Sequence, residues 1–211
     1  MMLNAIVGYD PFFQEAYDVC AASLDIPCKG TRNELITRDQ DGTTEFTYSR
    51  FLVPYQMEFK GWTLFCDCDF LFLASARDLI KYIDDKYAVL VCKHPHYVPI
   101  ADTKMEDEPQ HMYPRKNWSS LILWNNKHPS NRVLTPEKVN SVPPSSLHQF
   151  MWLNDDEIGS IPLEWNTLVG YYHFEDPKAI HYTEGLPLFD NYRDTRYADL
   201  WLKAYDELLL S

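Results

Sequence analysis

Apolar segments recur along the chain in a pattern that predicts alternating strands and helices. Leu3–Tyr9, Trp62–Asp67 and Tyr87–Cys92 are short, apolar and rich in β-forming residues, so each predicts a buried strand. Leu121–Trp124 and Ala179–Tyr182 predict two further strands.

The first predicted strand leads directly into a helix. Asp10 is a favourable N-cap residue and Pro11 occupies the first turn, a combination that is common at helix starts. One packing face of this helix is expected from residues at helical spacing, namely Phe12, Ala16, Val19, Cys20 and Ser23. A strand, a turn and a helix in this order are typical of α/β nucleotide-binding domains.

The remaining segments predict shorter helices, loops and a C-terminal helix. Phe46–Tyr55 predicts a short helix that ends at Pro54, Asp78–Asp84 predicts another, and Thr135 is expected to begin a third. Lys29–Thr44 is polar and predicts a loop. At the C-terminus one helix face is apolar and is expected to pack on the core; its residues are Tyr197, Leu200, Trp201, Ala204, Tyr205 and Leu208.

A long segment, His94–Asn117, has little periodicity and many prolines and charges. It predicts a long loop, and long loops in compact domains often serve as lids. His94 and His96 have a spacing that suits metal ligands, although an ordinary loop is the preferred interpretation. Most tryptophans are expected in the core, with Trp118 or Trp152 as the best candidate for a platform under an acceptor sugar.

Length and charge narrow the classes of function. The chain has 211 residues, enough for one domain with a substantial core. Its formal net charge of −12 repels nucleic acid and anionic membranes, so neither is an expected partner. An acidic protein that binds a nucleoside diphosphate needs a local source of positive charge, and a metal ion is the economical one.

The N-terminal segment and the number of cysteines both favour a reducing compartment. No apolar run is long enough to span a bilayer, and the first eight residues lack the features of a secretory signal, so a cytoplasmic location is expected. The five cysteines are an odd number and are expected to be reduced thiols. Cys66 and Cys68 are expected to be small buried apolar residues rather than metal ligands.

Two carboxylates interrupt the most apolar segment of the chain. Asp67 and Asp69 lie between the apolar runs Trp62–Cys66 and Phe70–Leu73. Residues two apart in extended backbone point to the same side, so both carboxylates can reach one hard cation such as Mg²⁺ or Mn²⁺. The alternative is that the strand ends at Asp67 and both acids cap a turn.

Six segments in the same order resemble those of glycosyltransferase family 8, whose fold is GT-A. They are SRFLVPY at Ser49–Tyr55, FCDCD at Phe65–Asp69, NWSSLILWN at Asn117–Asn125, NDDEIG at Asn154–Gly159, IPLEWN at Ile161–Asn166 and HYTEGLP at His181–Pro187. Several of these segments also resemble the sequences of a compact branch of that group. The resemblance implies an α/β fold with a Rossmann-like mixed sheet flanked by helices. It implies one GT-A domain over residues 1–211, with a nucleotide-binding half (1–75) and a donor-sugar and acceptor half with the C-terminal helix (76–211).

The resemblance also implies roles for particular residues. Asp67, Asp69 and His181 would be ligands of Mn²⁺ or Mg²⁺, with Asp67 also at the donor. The nucleotide and the donor sugar would lie against Tyr9, Asp10, Arg50, Asn117, Ser119 and Ser120. Asp155 and Asp156 would lie near the reacting carbon or the acceptor hydroxyl and are the candidate catalytic residues.

Two positions depart from the family pattern. Leu186 stands where the family has a lysine that contacts the diphosphate, so Lys104, Arg115 and Lys116 become candidate replacements. Asn154 stands where the family has an aspartate, and Asp155 stands where it has a glutamine. The second departure leaves the choice of a single catalytic residue open.

The function implied is transfer of a hexose from a nucleotide sugar, UDP-glucose or UDP-galactose, to a hydroxyl of an unknown glycan, lipid or protein acceptor, with retention of configuration. Two other classes are weighed against it. A phosphatase of the haloacid dehalogenase type also places two aspartates after a buried strand, but usually near the chain start and with Thr or Val where this chain has Leu71. A protein that binds nucleotide sugars without catalysis is the third.

Overall fold

The computed structural model describes residues 2–38, 44–95 and 114–210, together with the backbone of two short strands, 103–104 and 108–109. The strands are β1 (Asn4–Gly8), β2 (Cys28–Thr31), β3 (Trp62–Cys66), β4 (Phe70–Phe72), β5 (Val89–Cys92), β6 (Thr103–Lys104), β7 (Glu108–Pro109), β8 (Leu121–Asn125), β9 (Ile158–Ile161), β10 (Thr167–Leu168) and β11 (Ala179–His181). The α-helices are α1 (Gln14–Ser23), α2 (Val53–Gln56), α3 (Pro136–Ser141), α4 (Pro144–His148) and α5 (Ala198–Leu209).

A six-stranded mixed sheet forms the centre of the fold, in the order β2-β1-β3-β8-β5-β9. Strands β1, β2 and β3 are parallel, β5 and β9 are parallel, and β8 runs antiparallel to both of its neighbours. A second sheet has the order β10-β11-β4. The result confirms the predicted α/β class with a mixed sheet flanked by helices.

The central strands are buried along their whole length, which explains their uninterrupted apolar sequences. Every residue of β3, β5 and β8 is buried. Strands covered by other elements on both faces are apolar throughout rather than at alternate positions. Because β1, β3 and β5 run in the same direction, the residues that follow them emerge at one edge of the sheet, where β8 begins.

The edge strand β2 was not predicted. Its residues lie partly in Lys29–Thr44, the segment predicted to be a loop. The sequence does not indicate a strand there because Lys29 and Gly30 are exposed and show no apolar alternation. A short, polar strand of this kind is common at sheet edges, where it discourages pairing with other chains.

Several helix predictions need correction at their ends. The chain after Asp10 first forms a 3₁₀ turn, Pro11–Phe13, so Phe12 lies outside α1 and is 64% exposed instead of packed. The helix predicted to end at Pro54 continues to Gln56, because Pro54 occupies the first turn of α2, where its missing N–H is tolerated. The helix predicted over Asp78–Asp84 is a 3₁₀ helix, Ala76–Tyr82.

The C-terminal helix packs as predicted. Trp201 and Ala198 of α5 are buried, and α5 contacts α1. Its charged residues Asp199, Lys203 and Asp206 are exposed. Among the residues the structure describes, no helix combines the length and the apolar character needed to cross a bilayer.

Candidate functional site

The two aspartates lie at the turn between the two sheets. Asp67 follows β3, and its backbone N–H donates to the carbonyl of Ser120, the residue before β8 (2.9 Å). Asp69 precedes β4, and its carbonyl accepts from the N–H of Tyr182 (3.0 Å). Because β4 pairs with β11 in the register His181 opposite Phe70, His181 is fixed beside Asp69. The sheet register therefore brings a late histidine to the acidic pair.

Asp67, Asp69 and His181 form a compact group of potential metal ligands. One ligand atom from each residue lies within 4.8 Å of the others. Nε2 of His181 is 3.3 Å from Oδ1 of Asp69. Asp69 and His181 are buried, whereas Asp67 is partly exposed, so the group is open on one side.

A chain of buried hydrogen bonds determines which nitrogen of His181 faces Asp69. The Ser120 hydroxyl donates to the Asn117 carbonyl (2.7 Å) and accepts from Nδ2 of Asn166 (2.9 Å). Oδ1 of Asn166 then faces Nδ1 of His181 at 2.9 Å and accepts a hydrogen bond from it. Because Nδ1 is engaged by Asn166, Nε2 is the ring nitrogen that faces the carboxylate of Asp69.

This arrangement fits a divalent cation. An imidazole nitrogen and a carboxylate oxygen facing each other are stabilised by a cation or a proton between them. Two carboxylates and an imidazole suit Mn²⁺ and related ions, and a histidine ligand usually donates its second ring N–H to an outer-shell acceptor. Asn166 is that acceptor here. Asn166 lies in the IPLEWN segment, but nothing in the sequence alone indicates this role for it.

Arg50 holds Asp67 in place. Its guanidinium is 2.8 Å from Oδ1 of Asp67, and it also donates to the carbonyls of Ser119 (3.0 Å) and Thr47 (3.2 Å). Arg50 is only 6% exposed. A buried guanidinium with a carboxylate partner and two carbonyl acceptors is well satisfied, and it fixes the Asp67 side chain at the site. Arg50 thus lies beside Asp67, one of the two carboxylates near which the family resemblance expects it.

The turn before β8 carries the residues expected to face the donor sugar. Asn117 has a left-handed backbone (φ 62°), and its side-chain amide donates to the Thr183 hydroxyl (3.4 Å). The Ser119 hydroxyl contacts Nδ1 of His148 at 2.9 Å. Ser120 is buried, and its hydroxyl is engaged in the chain of hydrogen bonds to His181. Asn117 therefore bridges toward the segment after β11, while Ser120 supports His181 through Asn166.

Tyr9 and Asp10 lie at the end of β1. The carboxylate of Asp10 accepts from the backbone N–H groups of Phe12 (2.9 Å) and Glu45 (3.0 Å), so it orders the local chain. The Tyr9 hydroxyl donates to Gln14 (2.7 Å). Tyr9 lines a cleft of about 960 Å³ that extends along the edge strand β2.

Asp155 and Asp156 lie in a 3₁₀ turn before β9. The first residue of β9, Ile158, pairs with Val89 at the start of β5, whereas Asp67 follows the end of β3. The turn therefore leads into the sheet from the edge opposite to Asp67. Asp155 accepts from the Arg115 guanidinium at 2.5 Å. The catalytic role of these two aspartates stays a prediction, and this placement does not favour it.

The structure describes only some of the candidate replacements for the family's diphosphate-binding lysine. Arg115 is engaged by Asp155 and by the carbonyl of Gln149. The side chain of Lys104 lies outside the described residues, as does His96. Leu186, at the position of the family's lysine, is buried.

Several solved structures share this fold, and they are glycosyltransferases of the GT-A type. The bifunctional glycosyltransferase WbbM matches with a TM-score of 0.67 at 13% identity, over 97% of this chain and 49% of that chain. GlyE of Streptococcus pneumoniae has a TM-score of 0.63 at 14% identity, over 97% of this chain and 60% of that chain. The galactosyltransferase LgtC has a TM-score of 0.56 at 11% identity, over 97% and 95%. This chain thus spans about half of WbbM and three fifths of GlyE. At such identities the likeness shows the fold, and it confirms the predicted GT-A architecture.

The sequence comparison defines the family more narrowly. The chain is 45% identical to Protein CDI of Arabidopsis thaliana over 221 aligned positions, which cover 95% of this chain and 85% of that protein. The chain belongs to the family of Protein CDI. No protein-family model matches it, and membership of glycosyltransferase family 8 in particular stays a prediction.

The Asn166 contact gives a test of the metal group that leaves all three ligands in place. We expect Asn166→Ala to weaken Mn²⁺ binding about 10- to 100-fold, because His181 loses the acceptor that fixes its tautomer. Asn166→Asp is the matched variant: it keeps an acceptor at the same place and should retain most of the affinity. Calorimetric Mn²⁺ titration measures both, and equal affinities for the two variants would contradict the role of Asn166.

Proposed function

We propose that this protein is a metal-dependent glycosyltransferase that moves a hexose from a UDP-sugar to an acceptor hydroxyl, with retention of configuration. The observation that carries the proposal is the group Asp67, Asp69 and His181 at the strand edge of a GT-A fold. UDP-glucose and UDP-galactose are the proposed donors, and Mn²⁺ or Mg²⁺ is the proposed metal.

The charge of the site supports a metal-bound diphosphate. The chain carries a net charge of −12, and the buried cation nearest the acidic pair, Arg50, is already paired with Asp67. A diphosphate approaching two carboxylates is repelled unless a divalent cation lies between them. A bound Mn²⁺ or Mg²⁺ would supply that charge and neutralise the leaving diphosphate.

The residues of the chain would orient the two substrates. Arg50 holds Asp67 so that it need not reorganise when the donor arrives, and Asn166 holds His181 in the same way. Asn117 and Ser119 are proposed to contact the donor sugar, while Tyr9 and Asp10 are proposed to lie by the nucleotide. Fixing the acceptor hydroxyl against the correct sugar face is then the main remaining contribution.

A thermal-shift screen with nucleotide sugars, with and without Mn²⁺, tests the proposal. A ligand that binds the native state raises its apparent stability, so UDP-hexoses should raise the melting temperature only when Mn²⁺ is present. Asp69→Asn is the matched control, since it keeps the side-chain size and removes a ligand charge. Donor-sugar transfer or hydrolysis should accompany binding.

Two results would contradict the proposal. Hydrolysis of a generic phosphate ester, with no response to nucleotide sugars, would favour the phosphatase alternative. Mn²⁺-dependent binding of UDP with no turnover of any donor would favour a binding protein without catalysis.

A further inference from the structure

His94 is a buried histidine that the chemistry described above does not use. It lies two residues after β5, at the sheet edge where Asp67 emerges, and is only 5% exposed. Its backbone is held at both ends, because its N–H donates to the carbonyl of Cys92 (3.0 Å) and its carbonyl accepts from the Trp118 indole (3.1 Å). The imidazole is therefore held in a defined position.

Neither ring nitrogen of His94 has a hydrogen-bond partner within the part of the chain that the structure describes. Burial, and to a lesser degree the nearby His181, lower the pKa of His94 to about 3. The ring is therefore neutral near pH 7, with one nitrogen that donates and one that accepts. Buried polar atoms are rarely left unpaired in native proteins, and each exception calls for an explanation such as a ligand.

A second unpaired polar group accompanies His94. The ring of Tyr172 lies parallel to the imidazole, with centroids 5.7 Å apart and an interplanar angle of 5°. The hydroxyl of Tyr172 is also buried without a partner among the described residues. Tyr172 lines a cavity of about 510 Å³ together with Val169, whose N–H donates to the carbonyl of His181 (3.0 Å). In this stacked pair Tyr172 lines the cavity, and His181 is close enough to His94 to affect the pKa of His94.

We propose that His94 and Tyr172 together hydrogen-bond a sugar hydroxyl that binds beside the metal group. Each group both donates and accepts a hydrogen bond and carries no charge, which matches a hydroxyl and does not match a phosphate. The Trp118 contact links His94 to the turn that carries Asn117. On the other side, Val169 lines the cavity with Tyr172 and donates to the carbonyl of His181 in β11. The sugar is that of the donor or that of the acceptor, and this inference rests on the proposed function.

The test compares His94→Phe with the wild type. Phenylalanine keeps the flat ring against Tyr172 and removes both nitrogens, so the melting temperature should stay the same or rise. Tyr172→Phe removes only the second hydroxyl, and Tyr205→Phe on α5 is the control for loss of a remote phenol. Calorimetry in Mn²⁺ uses UDP, UDP-glucose and UDP-galactose as probes.

If the hydroxyl belongs to the donor, UDP affinity should be unchanged in His94→Phe while UDP-hexose affinity falls about tenfold, the effect expected for a lost hydrogen bond or two. If it belongs to the acceptor, both affinities should be unchanged, and binding of methyl glucoside or methyl galactoside to the Mn²⁺–UDP complex should be lost instead. Tyr172→Phe should show the same pattern more weakly.

Unchanged binding of every probe in His94→Phe, with only a change in melting temperature, would overturn the proposal and leave His94 a structural residue. A wild-type protein that does not bind UDP with Mn²⁺ would contradict the proposed function instead. In that case, titration of the wild type and His94→Phe with the methyl glycosides, without UDP, tests the role of His94 independently of the proposed function.

Discussion

Asp69→Ala should abolish the Mn²⁺-dependent binding of UDP while the protein stays folded. Asp69 supplies a ligand atom that faces Nε2 of His181 at 3.3 Å, and no other carboxylate of the described residues belongs to the group except Asp67. The expected loss exceeds the roughly 10- to 100-fold that removal of an outer-shell partner causes. Isothermal calorimetry with Mn²⁺ and UDP measures it.

The control for Asp69→Ala is an acidic residue of the same type away from the site. Asp199 is exposed on α5, and Asp199→Ala lowers the negative charge of the chain by the same amount. It should leave UDP affinity unchanged. Equal UDP affinities for Asp69→Ala and Asp199→Ala would remove the metal assignment.

Arg50→Ala should cause the largest loss of stability of any single change at the site. The substitution removes the 2.8 Å partner of Asp67 and leaves the carbonyls of Ser119 and Thr47 without their donor. Breaking a buried ion pair from one side costs about 3 to 5 kcal/mol, because the remaining charge is uncompensated. Urea denaturation without metal measures the free energy of unfolding.

Mn²⁺ should restore part of the stability lost in Arg50→Ala, because a cation at the site gives Asp67 a new partner. The stabilisation by Mn²⁺ should therefore be greater in this variant than in the wild type. Arg50→Lys keeps the positive charge beside Asp67, so it should lose less stability than Arg50→Ala. It should still lose some, because an ammonium group cannot reach the three acceptors as the planar guanidinium does. An Arg50→Ala variant as stable as the wild type, or one that Mn²⁺ does not stabilise, would show that Arg50 is not the partner that Asp67 depends on.

The sequence was most informative where one physical requirement dominates. Strands β3, β5 and β8 are buried on both faces, so their sequences are continuously apolar and the predicted positions are correct to within two residues. Strand β2 has no such requirement, because it lies at the sheet edge with Lys29 and Gly30 exposed. Its pairing with β1 is a tertiary fact that the local sequence does not contain.

The sequence likewise predicts some features of the site and not others. The acidic pair was visible because two charges in an apolar run need a partner, and the grouping with His181 followed only from the family resemblance. The hydrogen bonds that join Ser120, Asn166 and His181 depend on side-chain directions across three strands or turns, and no sequence pattern encodes them. The engagement of Arg115 by Asp155 was equally invisible, although both residues were candidates for roles at the substrate.

The most direct test of the account is anomalous diffraction at the manganese edge from crystals grown with Mn²⁺ and UDP. We expect one anomalous peak within about 2 to 2.5 Å of a carboxylate oxygen of Asp67, a carboxylate oxygen of Asp69 and Nε2 of His181, in contact with the diphosphate. A diphosphate bound with no peak at these three residues, or a peak that lies elsewhere, would contradict it.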